Sequence, residues 1–160
     1  MNSIHYQSIG IIYSPFANIV DMPIQPSGAL GVQGWVELKP ELQPALQDLD
    51  GFSHLILLYH FHRVDEVTLI VTPFMDTEKH GIFATRAPKR PNPIGISIVK
   101  LLKVEGNILR IENVDILDKT PLLDIKPYVP YFDRPEVEKV GWLEKSKGQV
   151  RNQKSDERFG

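Results

Sequence analysis

The sequence predicts an all-β protein, a single small β-barrel of about seven or eight short strands with one short helix. Three observations carry that expectation. Thirteen prolines are spread along 160 residues, which leaves little room for a helical bundle. The apolar residues come in many short runs punctuated by Gly, Pro, Asn and Asp. No helical pattern is long enough to alternate with the strands and there is no internal repeat, so a closed or nearly closed barrel is the expected way to dispose of the sheet edges.

Each element has its own reason. Ile4 to Tyr13 reads as the first strand, with Gly10 marking a bulge and Ser14-Pro15 ending it. Ala17 to Gly34 holds two prolines and three glycines without periodicity, so a long loop is expected; loops of that length in compact domains are usually functional or mobile. Trp35 to Leu38 is a short strand. Lys39 to Asp50 places Leu42, Ala45, Leu46 and Leu49 at helical spacing, but Pro44 limits it to one short or broken helix stopped by Gly51. His54 to His62 is nearly continuous in apolar residues, which predicts a strand buried on both faces. Val67 to Thr72, Gly81 to Thr85 and Ile94 to Val104 follow as strands. Glu105-Gly106-Asn107 is a tight turn into Ile108 to Glu112. Val114 to Leu117 and Leu122 to Tyr128 are further short apolar segments. The pattern fades after Asp133. The expected division is therefore a barrel domain over residues 1–143 and a polar, disordered or partner-dependent tail over 144–160.

Composition narrows the classes of function. Apolar residues make up 42% and charged residues 24%, ordinary values for a soluble globular domain. Without cysteine there is no disulfide, thiolate metal site or Cys nucleophile. The first residues lack a signal-peptide pattern, and the longest apolar run, Leu55 to Tyr59, is far too short to span a membrane, so a cytoplasmic protein is expected. The net charge of −2 is no general signature of nucleic-acid binding. It divides into +2 over residues 144–160 and −4 over the rest, so a polyanion would have to be met by a local patch.

The densest such patch is the stretch containing Lys79, His80, Arg86, Lys89 and Arg90. Between Arg86 and Pro93 the prolines Pro88, Pro91 and Pro93 fix φ and hold the cations in set directions. The same residues would also suit a solvated turn that protects a sheet edge. Asn92, held between two prolines, could accept a hydrogen bond from an amino nitrogen of a base, or simply form an Asx turn. His60 and His62 share a strand face and could supply half of a metal site, but no carboxylate stands at ligand spacing. Asp118 to Pro121 and Asp124 to Tyr128 form a second polar rim suited to a small ligand or to turns alone. Gly-x-Ser-x-Gly, the phosphate loop, His-Glu-x-x-His and the strand–GxGxxG–helix unit are all missing.

Taken together, Phe52 to Leu55 (FSHL), Phe83 to Arg86 (FATR), Arg90 to Gly95 (RPNPIG) and Thr120 to Tyr128 (TPLLDIKPY) resemble one family. It is the S-adenosylmethionine-dependent tRNA methyltransferase family that acts on N6-threonylcarbamoyladenosine beside the anticodon. The resemblance starts at Ile9-Gly10 and Ser14-Pro15 and runs in order to about Pro130. It implies a single β-barrel, usually a homodimer, that binds its methyl donor without a Rossmann unit and needs no metal. Carried over by position, it implies donor contacts at Pro23, Ile24, Gln25, His62, Arg63, Arg86, Ile98, Asp118, Lys119, Thr120 and Pro121. Family members often have Arg where this chain has Ile24. The implied partner is the tRNA anticodon loop, with Lys89 or Arg90 reading the threonyl carboxylate and Asn92 accepting a hydrogen bond from the reacting nitrogen. Two other readings of the residues stay open at this point: a metal-dependent small-barrel enzyme using His60 and His62, and a non-enzymatic barrel that binds a nucleotide-like ligand.

Overall fold

The computed structural model describes residues 2–23 and 26–146. Eight strands are present: β1 Gly10–Tyr13, β2 Gln33–Leu38, β3 His54–His60, β4 Ile70–Val71, β5 His80–Gly81, β6 Ile94–Glu105, β7 Ile108–Glu112 and β8 Thr120–Pro127. Six of them close an antiparallel barrel in the order β1-β2-β7-β6-β3-β8, with β8 returning to β1. Closure leaves the barrel without an edge strand. β4 and β5 pair only with each other, so the barrel itself has fewer strands than the seven or eight expected.

Alternation fixes what faces inward. Leu55, Leu57 and Tyr59 of β3, Ser97 and Val99 of β6, Leu109 and Ile111 of β7, Val36 and Leu38 of β2, Ile12 of β1 and Leu122 of β8 are all buried in the interior. β3 is not buried on both faces: its outer residues His54, Ile56, Leu58 and His60 are half-buried. The barrel interior accounts for one face, and the described residues only half-cover the other.

Several expected elements are shorter than their sequence runs. Of the first run, Gly10 to Tyr13 pairs in the barrel, with Trp35 to Leu38 and Thr120 to Leu122, and Ile9 adds backbone bonds to Leu122 and Lys39. Ile4 and Tyr6, earlier in the run, are exposed. The helix expected over 39–50 is two 3₁₀ segments, Pro40–Leu46 and Leu49–Gly51, because Pro44 lacks the N–H that an α-helix would need there. Gly81–Thr85 contributes one strand residue and then tightens into a 3₁₀ turn over Ile82–Ala84. The turn at Glu105-Gly106-Asn107 is as expected, with Gly106 at φ +61° and Asn107 Nδ2 donating to Leu38 O at 2.7 Å. Beyond Asp133, where the sequence pattern fades, a single helical turn Pro130–Asp133 (α1) has just ended and a 3₁₀ segment Gly141–Ser146 follows. Among the described residues no helix is long and apolar enough to cross a membrane.

Candidate functional site

A cavity of about 800 Å³ opens at the end of the barrel where β3 stops and β6 and β8 begin. That volume lies within the range of small-molecule sites. Three segments far apart in sequence reach it by the same device, a strand ending at the rim. β3 ends at His60, so Phe61, His62 and Arg63 turn across the mouth. β6 starts at Ile94, so the proline-rich loop before it delivers Arg86, Ala87, Pro88 and Arg90. β8 starts at Thr120, whose side chain is buried against the cavity. Pro23 of the long loop adds to the wall.

The turn before β8 is held on both sides. Ser14 N–H donates to Asp118 Oδ1 at 3.0 Å, Asp118 N–H donates to Phe16 O at 2.8 Å, and Thr120 Oγ1 donates to Leu117 O at 2.6 Å. Lys119 between them sits at φ +64°, a conformation a non-glycine residue keeps only when its surroundings impose it. His62 Nδ1 stands 3.4 Å from Thr120 Oγ1. Burial, helped by the charge of Arg63, holds the His62 imidazole below its ordinary pKa, so it is neutral at pH 7.

The cationic loop divides its charges. Lys89 Nζ is tied to Glu66 at 2.6 Å. Arg90 donates from one Nη to the carbonyls of Thr85 and Ala87 at 3.0 and 3.1 Å, which braces the loop, and its guanidinium lies 5.9 Å over the Phe83 ring. Phe83 is 76% exposed at the mouth. Arg86 has no salt bridge or side-chain hydrogen bond among the described residues, and it lines the cavity. It is the cation most available to an incoming anion.

Under these groups lies a buried polar chain that sequence reasoning missed. Tyr59 hydroxyl and Ser97 Oγ are 2.9 Å apart, and Ser97 Oγ donates to Asp115 Oδ1 at 2.6 Å. Burial raises the Asp115 carboxyl to about 7, against the opposing effect of the Ser97 hydrogen bond. Burial and the nearby Asp115 charge push the Tyr59 phenol above its usual value. Gly95 makes this placement of Tyr59 feasible. A Cβ there would stand 2.6 Å from Tyr59 Cζ and 2.9 Å from Phe61 Cζ. The sequence signal was a lone acid inside the apolar segment Val114-Asp115-Ile116-Leu117.

A second missed feature is the wall made by Val140, Trp142 and Leu143, from a stretch with little apolar pattern. Trp142 stacks on His80 with ring centroids 4.9 Å apart and donates from Nε1 to Ala84 O at 2.8 Å. His80 Nε2 is in turn 2.8 Å from Asp76 Oδ2, and this bond holds the Asp76 carboxyl below the usual range.

The structure thus gathers Pro23, His62, Arg63, Arg86, Arg90 and Thr120 on one cavity. Ile24 and Gln25 lie outside the described residues, as does 147–160 of the expected tail. Ile98 points outward from β6 in the same row as Ile94 and Ile96; those two line the cavity and Ile98 stands one step beyond its edge. Asp118 turns its carboxylate to Ser14, Lys119 is exposed and Pro121 pairs with Ile11, so none of the three lines the cavity. Asn92 is exposed on the rim between the lining residues Arg90 and Ile94. Among the described residues no three His, Asp or Glu gather to hold a metal ion, so the His60/His62 metal reading has no third ligand.

Comparison with known proteins identifies the family. Residues 11–134 match the family described as tRNA-methyltransferase O N-terminal domain. A Pyrococcus abyssi protein named "Probable S-adenosyl-L-methionine-binding protein" is 57% identical over 96% of this chain and 84% of its own length. The mouse protein named tRNA (adenine(37)-N6)-methyltransferase is 34% identical over 81% of this chain and 32% of its own length. The crystal structure of TrmO from Pseudomonas aeruginosa superposes with a TM-score of 0.74 at 38% identity, covering 88% of this chain and 63% of that one. The chain therefore spans less than two thirds of the mouse protein and of the Pseudomonas structure.

Proposed function

The chain belongs to the tRNA-methyltransferase O family, and from that premise we propose that it transfers a methyl group from S-adenosylmethionine to the N6 nitrogen of adenosine 37 in tRNA, the base beside the anticodon. We further propose that the substrate nitrogen carries the threonylcarbamoyl group. One observation carries the reading: residues expected at the donor from four separate segments converge on a single cavity of about 800 Å³.

The residues fit such a donor. Phe61, Phe74 and Phe83 offer apolar faces to an adenine, Arg86 offers an unengaged guanidinium to a carboxylate, and Thr120 and Asp115 offer polar atoms. When bound, S-adenosylmethionine supplies an activated methyl on a sulfonium. Arg86 and the neutral His62 fix orientation, and the aromatic and Met75 walls keep water from the transfer. The amide-like substrate nitrogen has a delocalised lone pair, so alignment matters more than a strong base; alignment contributes up to about 7–11 kcal/mol. Asn92, stiffened by Pro91 and Pro93 on the rim, accepts the hydrogen bond of that nitrogen. Arg90 reads the threonyl carboxylate, while Lys89 can take part only by leaving Glu66.

The assembly proposed is a homodimer. Ile94, Ile96 and Ile98 are 42%, 45% and 38% exposed in one outer row of β6, next to half-buried Ile56 and Leu58 on β3. A row of three exposed isoleucines suits burial against a second copy. Such an enzyme would work where tRNA is processed, in the cytoplasm. The test supplies the donor and tRNA with or without the threonylcarbamoyl group and looks by mass spectrometry for a methylated nucleoside. Product from the modified tRNA is expected; product from neither tRNA would remove the reading.

A further inference from the structure

The charges around the cavity are unevenly matched. Arg63, Arg86 and Arg90 line it, and among the described residues Asp115 is its single acid. Asp115 lies between Val114 and Ile116, which are fully buried, and is itself 7% exposed. The groups facing it are the Tyr59 hydroxyl from β3, the Ser97 hydroxyl from β6 and, at longer range, Arg86 from the proline-rich loop. His62, Arg63 and Arg90 are the other ionisable groups on the same walls besides Tyr59. No cation contacts either carboxyl oxygen among the described residues. A purely structural acid so placed would be costly, since burial without an ion-pair partner disfavours its charge. Burial raises its carboxyl to about 7, so at pH 7 it is half protonated.

On the reading that the cavity takes S-adenosylmethionine, we infer that Asp115 receives a positively charged centre of that donor, and that donor binding therefore expels a proton from the protein. The donor carries two cationic centres, a sulfonium and an ammonium, and one carboxylate. Three arginines can serve the carboxylate and the RNA. Among the described lining residues Asp115 is the one that can meet a cation with a negative charge. Ser97 and Tyr59 act as positioning residues, their hydroxyl protons directed toward the carboxylate so that its ionised form is ready when a cation arrives. The proton balance is simple: the Asp115 carboxyl loses H⁺ to buffer as the cationic centre docks, and no bond to carbon changes.

The experiment is titration calorimetry of the full chain with S-adenosylmethionine in phosphate and in Bis-Tris, which both buffer from pH 6 to 7 and differ in ionisation enthalpy. At pH 6 the donor's ammonium is fully protonated, so a change in heat with buffer reports the protein. Release of about 0.9 proton per donor is expected at pH 6 and about 0.5 at pH 7, with affinity falling about fivefold from pH 7 to pH 6. Asp115→Asn should abolish the buffer dependence and weaken binding by at least about tenfold. S-adenosylhomocysteine keeps the ammonium and lacks the sulfonium. Proton release with both ligands assigns Asp115 to the ammonium, and release with the donor alone assigns it to the sulfonium. Donor binding without proton release overturns the inference and leaves the methyltransferase reading intact, whereas no donor binding at all removes both. Where Asp115→Asn fails to fold, the same buffer series on His62→Asn decides: release retained assigns the proton to Asp115, and release lost overturns the inference.

Discussion

Asp115→Asn should stabilise the empty protein at alkaline pH while removing its grip on the donor. In the unfolded chain an aspartate gives up its proton near 3.8, whereas in the fold burial delays this to about 7. Between those values the native state holds a proton that the unfolded state has lost. The native state therefore binds more protons, and stability falls as pH rises from about 4 to 7; above 7 the loss is complete. A displacement of that size corresponds to ~4 kcal/mol at full ionisation, an upper figure, so about 2–4 kcal/mol is the expected range. Asparagine is close in shape, can still accept the Ser97 hydrogen bond, and does not titrate. The variant should therefore be the more stable by about 1–2 kcal/mol at pH 5 and by about 2–4 kcal/mol at pH 8. Urea denaturation at both values, with matching m, measures it. The acids held below their usual range, Glu66, Asp76 and Glu105, are common to both proteins and cancel in the comparison. Parallel stability profiles from pH 5 to 8 would refute the reasoning, because they would mean that Asp115 ionises as an exposed aspartate does.

Three further outcomes are expected. Gly95→Ala should destabilise by about 1–3 kcal/mol in urea, because its methyl meets the Tyr59 and Phe61 rings; an unchanged midpoint would mean that those rings are not held there. Arg86→Ala should weaken donor affinity roughly tenfold or more in calorimetry, the loss of one charge-assisted hydrogen bond, and unchanged affinity would free Arg86 from the donor. The His62 ring should titrate below 6.5 by NMR because burial and Arg63 disfavour its charge. The unfolded state then binds more protons than the native state just below pH 6.5, so this residue makes stability rise with pH through that window, and His62→Asn should flatten the rise.

The barrel was legible because its cause is local and repeated. Alternation in β3 and β6, the turn at Gly106 and the scattered prolines each point to short paired strands, and closure follows from having no helix to cover an edge. The ends of the elements were less legible. Ile4 to Ser8 has strand composition, but pairing depends on a neighbour, and the backbone bonds to the β2 and β8 sides begin only at Ile9. The loop Arg86–Pro93 was visible as stiff and cationic; which cation is available was not, because that depends on Glu66 for Lys89 and on two carbonyls for Arg90. Asp115 and Trp142 were missed for a related reason. A lone acid in an apolar run and a lone indole in a polar stretch acquire meaning only from what the fold sets opposite them.

On the proposed reading, what the fold sets opposite them explains how a small barrel builds a donor site without a dinucleotide-type unit. Such a unit would present a helix N-terminus to the ligand, and the only α-helix among the described residues is the four-residue turn α1. Charge recognition here has to come from side chains instead, and side chains of strands alternate between core and solvent. The barrel resolves this at its open end. Tyr59, Ser97 and Thr120 point inward from strands yet lie close enough to the rim to line the cavity or support it, while Arg86 and His62 come from loops. Polar atoms at the end of an apolar interior are desolvated but reachable. That accounts both for the raised carboxyl of Asp115 and for the lowered imidazole of His62, two shifts that burial pushes in opposite directions and that both favour the neutral form. The empty site therefore suppresses its own acidic charge and keeps its histidine neutral, leaving arginine to set the sign of the mouth. A polyanion meets a positive rim, and the acid beneath it, half ionised at pH 7, becomes fully charged when a cation is delivered to the floor.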